Sequence, residues 1–168
     1  MDNIILIGMP GAGKSTMGVV LAKVAGMDFL DTDLIIQARE KRLLSEIIEE
    51  EGVDGFLAVE EEVNASLEAF RSVIATGGSV IYGHRAMEHL RSIGTVVYLR
   101  LSYDTIASRL LNIKGRGVVL KDGQTLRDLY EERQGLYERY AHVTVDEEGL
   151  GIEETVEKTL QALKMLLE

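Results

Sequence analysis

Residues Gly8 to Thr16 read Gly-Met-Pro-Gly-Ala-Gly-Lys-Ser-Thr, and this run limits what the surrounding chain can become. It satisfies the pattern Gly, any four residues, Gly, Lys, then Ser or Thr. Such a loop works only between a strand that delivers it and a helix whose first N–H groups point at the same anion. Both flanks are written in the sequence. Asn3-Ile-Ile-Leu-Ile7 is a short apolar, β-branched run of the kind found in buried parallel strands. Beyond the loop, Met17, Val20, Leu21 and Val24 recur at helical spacing. The expectation is a nucleoside triphosphate held by Gly11, Ala12, Gly13, Lys14, Ser15 and Thr16, with Lys14 as a point charge on the outer phosphates. Ser15 puts a hydroxyl where a ligand of Mg²⁺ belongs.

The rest of the chain continues the alternation. Candidate strands are Asn3–Ile7, Asp28–Leu30, Ser72–Ala75, Thr95–Leu101 and His142–Val145, with helical patterns between them. In the last helix Ile152, Val156, Leu160, Leu163 and Leu167 share one face. This alternation predicts an α/β fold, a parallel five-stranded sheet flanked by helices on both sides, with residues 1–168 forming one domain. Two regions depart from it. Residues 34–70 read as a helical insert with acidic clusters at Glu49–Glu51 and Glu60–Glu62, whose expected place is a solvated helix face. Residues 112–124 hold three glycines and three basic residues without a strong period. They read either as a mobile flap over the nucleotide or as a plain surface loop.

Charge narrows the partners. The chain carries 28 acidic and 18 basic residues, a net charge of −10, which argues against nucleic acid because binding it needs a basic face. Any bound anion must therefore meet a local cluster of Lys and Arg. There is no cysteine, hence no disulfide framework or thiolate metal site. No apolar stretch approaches the roughly 20 residues of a membrane span. The chain begins on a core strand, so no signal peptide is expected, and a cytoplasmic protein is predicted. The guanine-reading tetrapeptide Asn-Lys-x-Asp does not occur, and His84, His89 and His142 lack ligand spacing.

More specific features follow in order along the chain. Asp31-Thr32-Asp33 closes the second strand, Phe56 stands four residues before Glu60, and Thr76-Gly77-Gly78 closes the third strand. Arg116 lies in the flap, and Arg133-x-x-x-Tyr137 is followed by Ala141. In order and spacing, from Ile4 to the last helix, the chain resembles the shikimate kinase family. That resemblance implies a three-layer P-loop kinase fold with a helical substrate-binding insert and a mobile lid. It also implies a monomer that passes the γ-phosphate of ATP, with Mg²⁺, to a ring hydroxyl of the small molecule shikimate. Carried onto this sequence, it puts Ser15 on Mg²⁺ and Asp31 on the metal's water shell. Asp33 becomes the group that receives substrate hydroxyls and the candidate base. Gly77 and Gly78 bring backbone close to the substrate, and Arg133 pairs with its carboxylate. Arg109 stacks on adenine, and Arg116 closes over the phosphates.

General chemistry agrees, since phosphoryl transfer needs positioning and cations around developing charge. The cations on offer are Lys14, Arg116 and Mg²⁺, and Asp33 follows a strand, where such sheets place ligands. Plainer roles compete for the same residues. Asp31 and Asp33 could cap the next helix. Thr76-Gly77-Gly78 could be an ordinary turn. Arg133 could form a solvated salt bridge to Glu131 or Asp128, and Arg109 could be an exposed helix residue.

The resemblance breaks at three places. The family motif Phe-Arg-x-x-Glu reads Phe56-Leu57-Ala58-Val59-Glu60 here, and leucine cannot supply the two charge-assisted hydrogen bonds of a guanidinium. The family's third successive glycine is Ser79, which could narrow the pocket or add a hydroxyl donor. The lid's usual Arg-Pro is Arg116-Gly117. Phosphate handling is intact while acceptor binding is altered. Three readings follow: a kinase of shikimate, a kinase of another small hydroxylated acceptor, and a non-catalytic ATP-binding sensor or assembly protein. Leu57→Arg is expected to lower the Michaelis constant for shikimate if the pocket otherwise matches the family.

Overall fold

A computed structural model describes residues 3–111 and 123–167. Its centre is one five-stranded parallel sheet in the order β2-β3-β1-β4-β5. The strands are β1 (Asn3–Ile7), β2 (Asp28–Asp31), β3 (Ser72–Ala75), β4 (Gly94–Arg100) and β5 (Val143–Asp146). All five sequence-predicted strands are present, with ends shifted by about one residue. The helices are α1 (Lys14–Ala25), α2 (Thr32–Glu40), α3 (Leu44–Ala65), α4 (His84–Ile93), α5 (Tyr103–Leu111), α6 (Leu126–Tyr140) and α7 (Ile152–Leu167), with a short 3-10 turn at Val80–Tyr82. Among the described residues no helix is long and apolar enough to cross a membrane.

Period-two alternation decides which side chain faces which layer. On β1, Ile5 and Ile7 join a core with Ile74, Val96 and Tyr98, beneath Met87 and Leu90 of α4 and Tyr137 of α6. Leu6 points the other way and packs with Val73, Val97 and Leu99 against Met17 and Leu21 of α1 and Val156 of α7. Both faces are covered, so β1 and β4 read as almost continuous apolar runs. A third cluster of Ile36, Ile47, Phe56 and Val63 lies beneath α2 and α3.

The strand order carries the site. The chain leaves β1 toward β2 on one side, returns to β3, then crosses to β4 on the other side of β1. The carboxyl end of β1 therefore stands at the switch point where such sheets leave a crevice. The phosphate loop sits there. Asp31 ends β2 and Thr76 follows β3, which brings the phosphate loop, Asp31–Asp33 and Thr76–Gly78 to one edge of the sheet. Helix α3 is broken at Gly52, whose φ of 76° is non-helical, and the bend turns its second half toward this crevice. Arg42, between α2 and α3, pairs with Glu40, Glu50 and Glu51, three carboxylates drawn onto one guanidinium.

Candidate functional site

The phosphate loop is shaped by its glycines. Gly8, Gly11 and Gly13 have φ of 153°, 87° and 82°, a half of conformational space that side chains disfavour. A Cβ on Gly8 would stand 2.8 Å from the Leu99 carbonyl oxygen. Gly13 caps α1, so the helix starts at Lys14, as the pattern predicts. Lys14 is buried, and its Nζ donates to the carbonyl oxygens of Gly8 at 2.7 Å and Met9 at 2.9 Å. Ser15 is exposed at the helix start and its hydroxyl donates to Asp31 Oδ2 at 2.9 Å. Asp31 has a second task, because its Oδ1 accepts the Asp33 backbone N–H at 3.0 Å and caps α2. The capping role competing for Asp31 and Asp33 thus falls to Asp31, and the Asp33 carboxyl lies elsewhere.

Asp33 faces Gly77. A Cβ added to Gly77 would meet Asp33 Oδ1 at 2.7 Å and Glu60 Oε2 at 2.9 Å, so the two carboxyls converge over a residue with no side chain. Gly78 does the same for the other charge. Its added Cβ would meet Arg133 Nη1 at 2.9 Å and Pro10 Cδ at 2.6 Å. Thr76-Gly77-Gly78 is therefore more than a turn, since both glycines admit charged groups where a methyl would block them. Two bonds hold the segment. Thr76 Oγ1 donates to the Leu6 carbonyl at 2.7 Å, and the Tyr137 hydroxyl donates to that of Gly78 at 2.6 Å. Tyr137 is itself buried and stacked on Tyr98 at 5.0 Å between centroids.

Arg133 is only 1% exposed. That excludes the solvated salt bridge to Glu131 or Asp128. Its guanidinium carbon stands 5.4 Å from the centre of the Tyr82 ring, and its Nε is buried without a partner. The Tyr82 and Tyr137 hydroxyls are its hydrogen-bond neighbours. A buried guanidinium with no carboxylate beside it is costly unless an anion meets it.

Glu60 corrects the reading of its acidic cluster as a solvated face. Glu62 is exposed and pairs with Arg39, but Glu60 is 2% exposed. The helical phase explains the difference, because Phe56, Glu60, Val63 and Asn64 lie on one buried face of α3. Ser79 Oγ donates to Glu60 Oε1 at 2.6 Å, so the hydroxyl that replaces the family glycine is used on Glu60. Burial, with some repulsion from Asp33, raises the Glu60 carboxyl to about 7 against the pull of Ser79, Arg133 and Lys14.

These groups line one cavity of about 430 Å³, a size that suits a small molecule. Lys14, Ser15 and Thr16 wall it on one side, and Asp33, Glu60, Gly77, Gly78, Ser79 and Arg133 on the other. Gln37, Ser45, Ile48 and Phe56 complete it. No motif marked Gln37 or Ser45, and their position follows from the α2–α3 turn alone. Leu57 is not in this wall. It is half-buried against the cluster of Ile36, Ile47 and Phe56.

Arg109 is half-buried on α5, where its Nη1 donates to the Gly11 carbonyl at 2.9 Å. It lines a second cavity of about 250 Å³ with Ala12, Gly13 and Thr16. Arg116, with the rest of residues 112–122, lies outside the described residues.

The sequence model of the shikimate kinase family matches residues 10–164. The chain belongs to the shikimate kinase family. The shikimate kinase of Thiobacillus denitrificans is 41% identical over 149 residues, covering 86% of this chain and 81% of that one. The shikimate kinase of Thermodesulfovibrio yellowstonii is 35% identical, covering 99% and 97%. Among solved structures, Acinetobacter baumannii shikimate kinase in complex with shikimate superposes with a TM-score of 0.88 at 34% identity, over 98% and 94% of the two chains. As a member of the shikimate kinase family, this chain is a small-molecule kinase that transfers phosphate to a hydroxyl. Its P-loop α/β architecture is that of the family's solved structures.

Proposed function

We propose that the protein transfers the γ-phosphate of ATP to a ring hydroxyl of shikimate, giving shikimate 3-phosphate and ADP. The observation that carries this reading is the buried Arg133 guanidinium in the same cavity as the Lys14–Thr16 phosphate loop. A carboxylate held by Arg133 leaves the far side of a small ring next to Asp33 and within the cavity that receives the phosphates. The helices of the 34–70 insert wall the acceptor side, and the relatives named above point the same way.

Ser15 and Asp31 suit Mg²⁺. They offer a hydroxyl and a carboxylate, already hydrogen-bonded to each other at 2.9 Å. Mg²⁺ takes hard oxygen ligands and is commonly held by one or two carboxylates together with substrate phosphates. When bound, it supplies charge neutralisation on the phosphate oxygens. Gly11 to Thr16 hold the phosphates through backbone N–H groups, and Lys14 turns from the Gly8 and Met9 carbonyls to the outer phosphates. Asp33 receives the hydroxyl proton of the acceptor and sets the direction of its attack. Glu60, held neutral by burial below about pH 7, keeps a further negative charge away from an anionic acceptor.

A second reading keeps the chemistry and changes the acceptor. Leu57 stands where the family motif has arginine, and Arg133 is the one arginine in the cavity wall among the described residues. An acceptor with less negative charge would need no second cation. ADP release measured with shikimate and with a panel of polyols, hydroxy acids and amino acids separates the two. Shikimate is expected to give the highest kcat/KM. Turnover with another acceptor and none with shikimate contradicts the primary reading.

A further inference from the structure

The second cavity contains a carboxyl that the proposed chemistry leaves unused. Glu147 lies just past β5, at the carboxyl end of an edge strand, and is 7% exposed. Its Oε2 is buried with no hydrogen-bond partner among the described residues. Its backbone is fixed on both sides: the N–H donates to the Arg100 carbonyl at 3.1 Å, and the carbonyl accepts from Leu150 N–H at 3.0 Å. Buried polar atoms without partners are rare and costly, so a carboxyl on a backbone fixed in this way is open to a ligand that completes it.

The neighbours define the ligand. Glu147 shares the cavity wall with Ala12, Gly13 and Thr16 of the phosphate loop and with Arg109. A nucleotide whose phosphates rest on this loop would extend its sugar and base toward this space. Leu150 and Ile152 add apolar surface, and the Arg109 guanidinium offers a flat cation, a pairing suited to a planar base. We infer that Glu147 reads the nucleobase, its carboxyl pairing with the amino edge of adenine. The inference rests on the ATP site proposed above.

The selectivity follows from donors and acceptors. A neutral carboxyl offers one O–H donor beside one C=O acceptor. Adenine presents the complement, an amino donor beside a ring-nitrogen acceptor. Guanine presents two adjacent acceptors on one edge and two adjacent donors on another, and only an ionised carboxylate matches the latter. Burial raises the Glu147 carboxyl to about 7, opposed by Arg109 of α5 and Lys14 of α1 and reinforced by Glu148 and Asp146. Of the other charges nearby, Arg100 of β4 is paired with Asp146 at 3.3 Å, and Glu154 of α7 accepts the Gly151 N–H at 3.3 Å. The acid form, which selects adenine, prevails below about pH 7, and the preference narrows as pH rises through that value.

Calorimetric titration with ADP, GDP and 2′-deoxy-ADP, without any acceptor, tests this on the full chain. The native protein is expected to prefer ADP over GDP by about tenfold or more at pH 6.5. That ratio should shrink at pH 8.5. Glu147→Gln keeps a donor beside an acceptor, so its ratio should stay within about threefold of native and no longer change with pH. Glu147→Leu should bring the ratio close to one. An unchanged ratio in Glu147→Leu, in a protein that still binds both nucleotides, overturns this inference alone. Loss of discrimination between ADP and 2′-deoxy-ADP, with the base preference intact, also overturns it by assigning Glu147 to the ribose. No nucleotide binding by the native protein overturns both this inference and the proposed function.

Discussion

The two walls of the main cavity are built in different ways. On the nucleotide side, Gly11 to Thr16 form one continuous segment whose shape is set by local backbone and two glycines of positive φ. On the acceptor side, Asp33, Glu60, Gly77 to Ser79 and Arg133 arrive from four separate stretches of chain. The first wall is fixed by what it is; the second depends on α2, α3 and α6 packing correctly on the sheet. A family can therefore alter the second wall residue by residue while the first stays whole. Ser79 is a change of that kind in the wall itself, and Leu57 lies just behind it.

The largest effect should come from the continuous wall. Lys14→Ala removes a cation from the transferring phosphate and should lower kcat by about 10³-fold, with the melting temperature little changed. A loss of only a few-fold would mean that the loop binds without contributing to transfer. Arg133→Ala breaks the other wall. The shikimate KM should rise by about 10²-fold while the ATP KM moves little, and an equal rise in both would erase the distinction between the two sides.

Glu60 gives a smaller, pH-dependent effect. Its carboxyl is raised from 4.5 to about 7 in the folded protein, so the folded state binds more protons than the unfolded state between those values. The stability this contributes is fully present below about pH 4.5 and is lost as pH rises through about 7. Glu60→Gln removes this share and leaves that of Glu147. Unfolding in denaturant at pH 5 and pH 8 should show the native protein losing up to a few kcal/mol more than the variant. Parallel losses in the two proteins would place the titrating group elsewhere.

The smallest effect sharpens the contrast most. Leu57 lies one helical turn from Glu60 on α3 and is half-buried outside the cavity wall. An arginine there is longer and can reach past Phe56, so Leu57→Arg should lower the shikimate KM by about three- to tenfold. A higher KM would show that the acceptor wall has been rebuilt beyond this one position.

How much of this was readable in advance follows the same division. The strands were legible because buried parallel strands are apolar throughout: Asn3–Ile7 and Ser72–Ala75 lie where the sequence predicts them. The phosphate loop was legible because its chemistry is local. Glu60 was hidden among three consecutive glutamates, and only the spacing of Phe56, Glu60 and Val63 separates the buried one from its neighbours. The burial of Arg133 beside Gly78 depends on contact between α6 and a loop 55 residues earlier in the chain, which no local pattern encodes. Glu147 gave no sequence signal, since it sits in an acidic run, Asp146-Glu147-Glu148, that reads as surface.

Phosphorus NMR of the native protein with ATP, Mg²⁺ and shikimate tests the central claim most directly. A new phosphomonoester signal should grow in equal amount with ADP. ADP accompanied only by inorganic phosphate, or no change in the ATP signals, would contradict the assignment of the Arg133 cavity to a phosphorylated acceptor.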